Sequence, residues 1–167
     1  MVTLFYTKIH NEFFIFLGVA LHYTIHHIKK GLTTLLKSKF NYKVHFDNVE
    51  KSSEPYFYVE MMPRHKTVDE ILTDKSIQID IMLVLIPDEY GRIKRSVLYD
   101  TADTLDGLIR PVFHIKDRYI TILESHTRFV DEILHYVFYL DFADCLTDKE
   151  SSAIMYDLMQ TLELNLK

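Results

Sequence analysis

The stretch Leu105–Phe142, LDGLIRPVFHIKDRYITILESHTRFVDEILHYVFYLDF, decides the fold class. It opens as the end of a helix, cut off at Arg110-Pro111 because a residue before proline avoids helical backbone and proline has no N–H to give. Val112–Ile115 and Tyr119–Leu123 then read as a strand pair around a tight turn at Lys116-Asp117-Arg118. Arg128–Phe142 reads as the longest strand region, with Leu134, Tyr136, Phe138, Leu140 and Phe142 alternating onto one apolar face. The stretch builds strands and carries no catalytic motif.

Upstream, helical and strand periods alternate. Leu21–Ser38 reads as a helix with Ile25, Ile28, Leu32, Leu35 and Leu36 at helical spacing, weakened at Gly31 by roughly 1 kcal/mol relative to alanine. Tyr42–Phe46 switches to period two. A polar loop, Asn48–Pro55, leads to a strand over Tyr56–Met62 that Pro63 is expected to end. Ser76–Ile86 is the next strand: Ile77, Ile79, Ile81, Leu83 and Leu85 share one face, and the other begins polar and ends apolar. A strand apolar on both faces is covered on both, by a helix or a neighbouring subunit. After a break at Pro87–Gly91 a helix is expected over Arg92–Ile109, with Val97, Leu98, Ala102, Leu105 and Ile109 inward. A last helix follows Thr147-x-x-Glu150, a capping-box pattern, with Ala153, Ile154, Leu158 and Leu162 as its stripe. The order is helix, three strands, helix, three strands, helix. This is a single α+β domain over residues 21–167, with an antiparallel or mixed sheet flanked by helices.

The bulk composition agrees. A chain of 167 residues with 48% apolar content buries a substantial core, and four glycines with four prolines favour long elements over loops. The single cysteine, Cys145, excludes an internal disulfide and a cysteine zinc site, and suits a reducing cytoplasm. The net charge of -5 argues against a general nucleic-acid binder, which would carry a basic stripe. Residues 1–20 form an N-terminal apolar extension outside the domain pattern. The run Phe13–Tyr23, taken as a helix, would reach roughly 16 Å, about half of a ~30 Å bilayer core. No small-residue cleavage site follows it, so it reads as a buried or partner-facing helix, or as sequence upstream of the natural start, and no membrane partner is expected.

Three constellations could carry chemistry. His22 and His26 stand four apart, the spacing of a two-histidine metal site, but the glutamate of a zinc protease is missing because Tyr23 follows His22. With His27 they read as surface or interface histidines. Asp100, Asp103 and Asp106 turn most of the way around a helix and read as a solvated acidic face. Glu60 and Asp80 are the only strand carboxylates placed for nuclease-type metal chemistry, and no lysine accompanies them at strand spacing. Lys29, Lys30, Lys37 and Lys39 make the first helix basic, a solvated face more than a DNA contact. No Gly-rich phosphate loop and no nucleophile elbow is present. No cofactor, metal or catalytic residue is expected.

The residues themselves resemble a family. The pieces are Phe40-x-Tyr42-Lys43-Val44-x-Phe46-x-x-Val49-Glu50, Tyr56-Phe57-Tyr58-Val59, and Ser76-Ile77-x-Ile79-Asp80-Ile81. They continue with Asp103-x-Leu105-x-x-Leu108-x-Arg110-Pro111-Val112, Asp117-Arg118-Tyr119-Ile120-Thr121-Ile122, and Leu134-His135-Tyr136-x-Phe138-x-Leu140-x-Phe142. In order and spacing, from about Leu21 to Leu146, the chain resembles the tail terminator proteins of tailed bacteriophages and phage-like contractile particles of Gram-positive bacteria. The resemblance implies a structural virion protein, assembled in the host bacterial cytoplasm. It would form a ring, commonly a hexamer, on the head-proximal end of the tail tube. It would end tube polymerisation, cap the sheath where the tail contracts, and join the neck or head. Its partners would be further copies of itself, the tube protein, the sheath protein, and a neck or head-completion protein, with DNA only as transiting cargo. The alternatives are a head–tail connector and a histidine-based metal enzyme.

Apolar strand faces suit subunit burial, and a head-to-tail ring closes an interface that would otherwise make a filament. Net negative charge suits a channel that DNA crosses without sticking. The expected tube-contacting surface is the loop Asn48–Pro55 with the segment Met62–Lys75, read as an extended polar arm. Its interface residues are Glu50, Lys51, Arg64, His65, Lys66, Asp69 and Glu70.

Overall fold

The computed structural model describes residues 4–9, 12–17, 23–49, 52–70 and 72–145. The expected C-terminal helix lies outside the described residues, as do Glu50, Lys51 and His22. The chain opens with β1 (Leu4–Ile9) and β2 (Glu12–Leu17), an antiparallel pair. The run Phe13–Leu17 is therefore strand, which corrects the helix reading of that segment. Phe13, Phe14, Ile15 and Phe16 are β-formers in sequence, and apolar content alone does not separate a strand from a buried helix.

Helix α1 spans Ile25–Lys37. Its start is fixed by a reciprocal pair: the Thr24 backbone N–H donates to His27 Nδ1 at 3.2 Å, and the His27 N–H donates to the Thr24 carbonyl at 3.0 Å. Histidine fills the place that glutamate or glutamine takes in the usual capping box. Ile28, Leu32 and Leu36, four apart, are fully buried. After β3 (Lys43–His45) come β4 (Tyr56–Thr67) and β5 (Leu72–Val84), then helix α2 (Arg95–Ile109). On α2 the inward residues are Leu98, Thr101, Ala102, Leu105 and Ile109. Thr101 takes the place the sequence reading gave to Val97, which is half-buried. The small hairpin β6 (Val112–Ile115) and β7 (Arg118–Thr121) follows as expected.

Two differences from the sequence reading concern where a strand ends: one strand continues past a local stop signal, and another stops where local signals continue. Pro63 does not end β4. The bond from Val68 N–H to the Leu72 carbonyl (3.0 Å) sets the parity of the β4–β5 ladder, so even-numbered β4 residues bond to β5 and odd-numbered ones point away. Pro63 is odd-numbered, and its missing donor falls on the free edge, where it costs the ladder nothing. The segment Met62–Lys75 is thus a paired hairpin and not a polar loop. Conversely, Arg128–Phe142 is two strands, β8 (Ser125–Val130) and β9 (Ile133–Cys145), joined at Asp131-Glu132. Both turn residues have positive φ, 49° and 63°, as the right-handed twist of a two-residue hairpin requires.

The main sheet has order β3-β4-β5-β9-β8, antiparallel except for β3 against β4. The described body is α+β with a mixed sheet and two helices, in one domain. Both helices and the β6–β7 hairpin pack on one side, where Phe57, Val59, Ile77, Ile79, Ile81, Leu83, Leu134, Tyr136, Phe138 and Leu140 form the core floor. Truncating any of these to alanine would cost about 2–5 kcal/mol. Gly31 has a packing reason: a Cβ there would stand 3.3 Å from the His114 carbonyl oxygen and 3.5 Å from the Phe113 ring, so α1 and β6 approach closely.

The other side of the sheet carries Tyr56, Tyr58, Glu60 and Met62 from β4. Gln78, Asp80, Met82 and Val84 come from β5, and His135, Val137 and Tyr139 from β9. No described helix lies over it, so Met62 and Tyr139 remain exposed.

Candidate assembly interface

The expected arm exists as the outer part of the β4–β5 hairpin. Arg64, His65 and Lys66 lie on β4, with Ser76, Lys75 and Asp74 directly across. Alternation sends Arg64 and Lys66 to the open side of the sheet and His65 to the helix side. Asp69 and Glu70 sit in the hairpin loop, where Asp69 Oδ1 accepts the Leu72 N–H at 2.7 Å and closes the turn. All five residues are exposed, as are the apolar tip residues Val68 and Leu72. Asp69 therefore shapes the loop instead of simply offering a charge.

The base of this hairpin is locked by a group the sequence reading missed. Lys75 is buried against Asp144, with side-chain exposures of 7% and 2%. Lys75 Nζ also donates to the Tyr23 carbonyl (2.9 Å), and the Tyr23 N–H donates to Asp144 Oδ2 at 3.0 Å. Arg118 lies over the Tyr23 and Phe142 rings, and its guanidinium donates to the Ala143 carbonyl. The segment entering α1, the hairpin and the end of β9 are thereby tied at one point. A charged pair at strand positions leaves no mark in sequence, because Lys75 and Asp144 are 69 residues apart.

On the open side of the sheet, Asp80 and Val137 directly across from it are buried, while Glu60, Gln78 and Met82 around them are partly or fully exposed. Its Oδ2 accepts from His135 Nδ1 at 2.9 Å and faces Arg128 at 3.4 Å, while Oδ1 has no partner among the described residues. The three residues tie β5, β9 and β8 together. Glu60 lies directly across from Asp80, yet no lysine or further carboxylate joins them.

Asp106, one of the three helix aspartates, is likewise structural. It accepts from Ser125 Oγ at 2.8 Å and from Tyr136 Oη at 2.9 Å, with Arg110 at 3.6 Å. Partial burial works to raise its pKa, but the two hydrogen bonds and the Arg110 charge outweigh it and hold the carboxyl below the usual carboxylate range. Tyr136 is pushed up to about 12, chiefly by burial, with the Asp106 bond and charge adding to it.

Asp100 and Asp103 remain exposed on the helix surface. His26 is exposed and His27 serves the α1 cap. Among the described residues no group of three His, Cys, Asp or Glu side chains is placed to hold a metal, and no helix is long and apolar enough to cross a membrane.

Two surface concavities stand at opposite edges of the main sheet. A hollow of about 260 Å³ beside the outer edge of β4 is lined by Lys29, Phe46, Tyr58, Val59, Glu60 and Met61 among others. A cleft of about 400 Å³ between α2 and β8 is lined by Tyr99, Asp103, Asp106, Arg110 and Phe129 among others. Tyr99 and Phe129 are 52% and 41% exposed and meet edge to face at 5.0 Å. In the cleft Ser125 donates to Asp106, a carboxylate that Tyr136 and Arg110 already engage. The described surface offers strand edges, exposed apolar residues and the tip of a hairpin whose β5 strand is paired with β9 out to Leu72.

Residues 27–152 match the family described as phage tail terminator protein. The chain belongs to that family. The match runs from the first turn of α1 through β9, so the whole main sheet lies within the terminator domain. A phage tail terminator is a structural component of the virion tail, and membership points to a non-enzymatic role and to association with other tail proteins. A search of curated proteins finds no match. One solved structure covers 73% of this chain and 92% of its own at 18% identity and a TM-score of 0.42. A likeness at that level adds nothing to the assignment.

Proposed function

We propose that the protein closes the head-proximal end of the tail tube as a ring of identical copies, ends tube polymerisation and presents the surface to which the neck or head joins. In a contractile particle the same ring would cap the sheath. The observation that carries this reading is the family match over the main sheet and both described helices. The structure contributes a chain whose surface offers strand edges and a hairpin in place of a pocket.

Within this reading the outer hairpin, Arg64–Thr73, with the loop Asn48–Pro55, meets the tube. A hairpin with its base fixed by Lys75 and Asp144 holds its tip at a set angle, which a contact repeated around a ring requires. The open side of the sheet carries Lys43, Arg64, Lys66 and Arg128 against Glu60, Asp74, Asp80 and Asp141. A channel lined by that side would have no excess of cations to retain DNA phosphates.

Deleting the gene and imaging the particles tests the assignment. Tubes of uncontrolled length, without heads, are expected. Tails of normal length that fail only to join heads would instead assign the protein to head–tail completion.

A further inference from the structure

The two edges of the main sheet differ in kind. At one edge β3 pairs only with Tyr56–Tyr58, so among the described strands β4 is unpaired on that side from Val59 outward. At the other edge β8 is unpaired on its outer side among the described strands. It has no proline, no bulge and no lysine, and its arginine, Arg128, is turned to Asp80 on the same sheet. Beside β4 lies the hollow, whose apolar part is formed by Ile25, Phe46, Val59 and Met61; on β8 stands the exposed Phe129. Resting on the ring reading above, we infer that β8 of one copy adds antiparallel to the free edge of β4 in the next copy. Phe129 enters the hollow and Arg128 faces Glu60.

Strand direction follows from topology. β4, β5, β9 and β8 alternate in direction, so β8 runs opposite to β4. Rotation about a ring axis keeps each strand's axial sense, and the β4 of the next copy therefore meets β8 antiparallel. The contact joins unlike surfaces, so it repeats head to tail and closes only when the ring is complete.

Register follows from hydrogen-bond parity. Val130 and Ile133 flank the two-residue turn, so even-numbered β8 residues bond to β9, leaving the backbone groups of Ser125, Thr127 and Phe129 turned outward. On β4 the outward set is Val59, Met61 and Pro63, by the parity already fixed at Val68 and Leu72. Bonding Thr127 to Met61 sets Phe129 opposite Val59, at the hollow, and Arg128 opposite Glu60. It also puts Pro63 opposite Ser125 at the strand end, where a missing donor costs least. A shift of two residues one way sets His126 against Arg64 and places Pro63 in mid-strand. A shift the other way sets Arg128, Phe129 and Val130 opposite Tyr58, Phe57 and Tyr56, all three of which β3 already occupies, whereas the chosen register meets β3 only at Val130. Arg128 is more than half exposed and only 3.4 Å from Asp80, so its guanidinium can turn to a second carboxylate without leaving the first bare, because His135 holds Asp80 at 2.9 Å.

The test uses the full chain with Cys145→Ser, carrying Met61→Cys and Thr127→Cys together, under mild oxidation. A covalent ladder ending in a closed ring is expected, with no ladder from either single cysteine. In parallel, Glu60→Arg is expected to weaken assembly at least tenfold by native mass, and adding Arg128→Glu to restore it. Phe129→Asp should abolish assembly. Thermal unfolding of each monomer checks that the fold survives. Rings that form without the cross-link, or that tolerate Phe129→Asp and Glu60→Arg, overturn this interface and leave the ring reading standing. A chain that stays monomeric even with tube protein present overturns the ring reading and this interface with it.

Discussion

Replacing Lys75 by methionine tests whether the lock at the hairpin base governs stability. The change keeps the length of the side chain and removes its charge. Asp144, 2% exposed, would keep the Tyr23 N–H but lose the Lys75 charge beside it. Breaking one side of a buried pair in this way costs about 3–5 kcal/mol. Domains of this size are stable by about 5–15 kcal/mol, so the loss is a large fraction of the total. With a urea slope of roughly 2 kcal/mol per molar, the unfolding midpoint should fall by about 2 M. Asp144→Leu should cost a similar amount, since Lys75 would then be buried with only the Tyr23 carbonyl as acceptor. The double variant leaves no buried charge. What it loses is the partners of the Tyr23 N–H and carbonyl, about 1–3 kcal/mol each at most. The double should therefore cost less than the sum of the singles by several kcal/mol, far outside the error of about 0.5 kcal/mol expected for independent sites. Urea unfolding followed by circular dichroism on all four proteins gives the cycle. Strictly additive losses, or a Lys75→Met midpoint within 0.3 M of the parent (about 0.6 kcal/mol at that slope), would refute the argument that the pair is a buried, coupled lock.

The Asp106–Tyr136 bond makes stability pH-dependent at both extremes. Asp106 has a lowered folded pKa, so its contribution is present above the unfolded value of 3.8 and fades as pH falls through the folded one; Asp106→Asn should flatten the acid limb of a stability–pH curve. Tyr136 is raised from 10.0 to about 12, so its contribution is complete below pH 10 and fades as pH rises through 12, and Tyr136→Phe should remove that alkaline loss. Glu132→Gly should raise stability by about 1 kcal/mol in thermal or urea unfolding, because glycine takes φ of 63° without the Cβ clash that glutamate carries. Deleting Arg64–Thr73 should leave a folded chain that no longer caps tubes, read by electron microscopy of tube length in an assembly reaction. Normal capping by that variant would remove the hairpin from the tube contact.

Much of the architecture was legible in sequence because it depends on local periodicity and breakers. Ile28, Leu32 and Leu36 announce α1 by spacing. Arg110-Pro111 ends α2, and Lys116-Asp117 marks the β6–β7 turn, where Lys116 has φ of 54°. The resemblance pieces all fall within the matched region or at its edge. The failures came where local signals are weak or misleading. Asp131-Glu132 lacks the glycine or asparagine that usually marks a two-residue turn, and apolar residues continue on both sides, so two strands read as one. Pro63 is a breaker only when its nitrogen faces a ladder partner, and sequence does not tell which side of a strand faces outward.

The amino-acid order alone determined the fold class, the family and the absence of any motif for known chemistry, since each rests on spacing within a few residues. Tertiary structure decided the rest. It paired Lys75 with Asp144 and Asp80 with His135, and it turned a polar segment into a fixed hairpin. It left two unlike edges open on one sheet among the described strands. These depend on contacts between residues far apart in the chain and on the parity of ladders. Only the folded sheet states which backbone groups are already spoken for and which face outward from its edges.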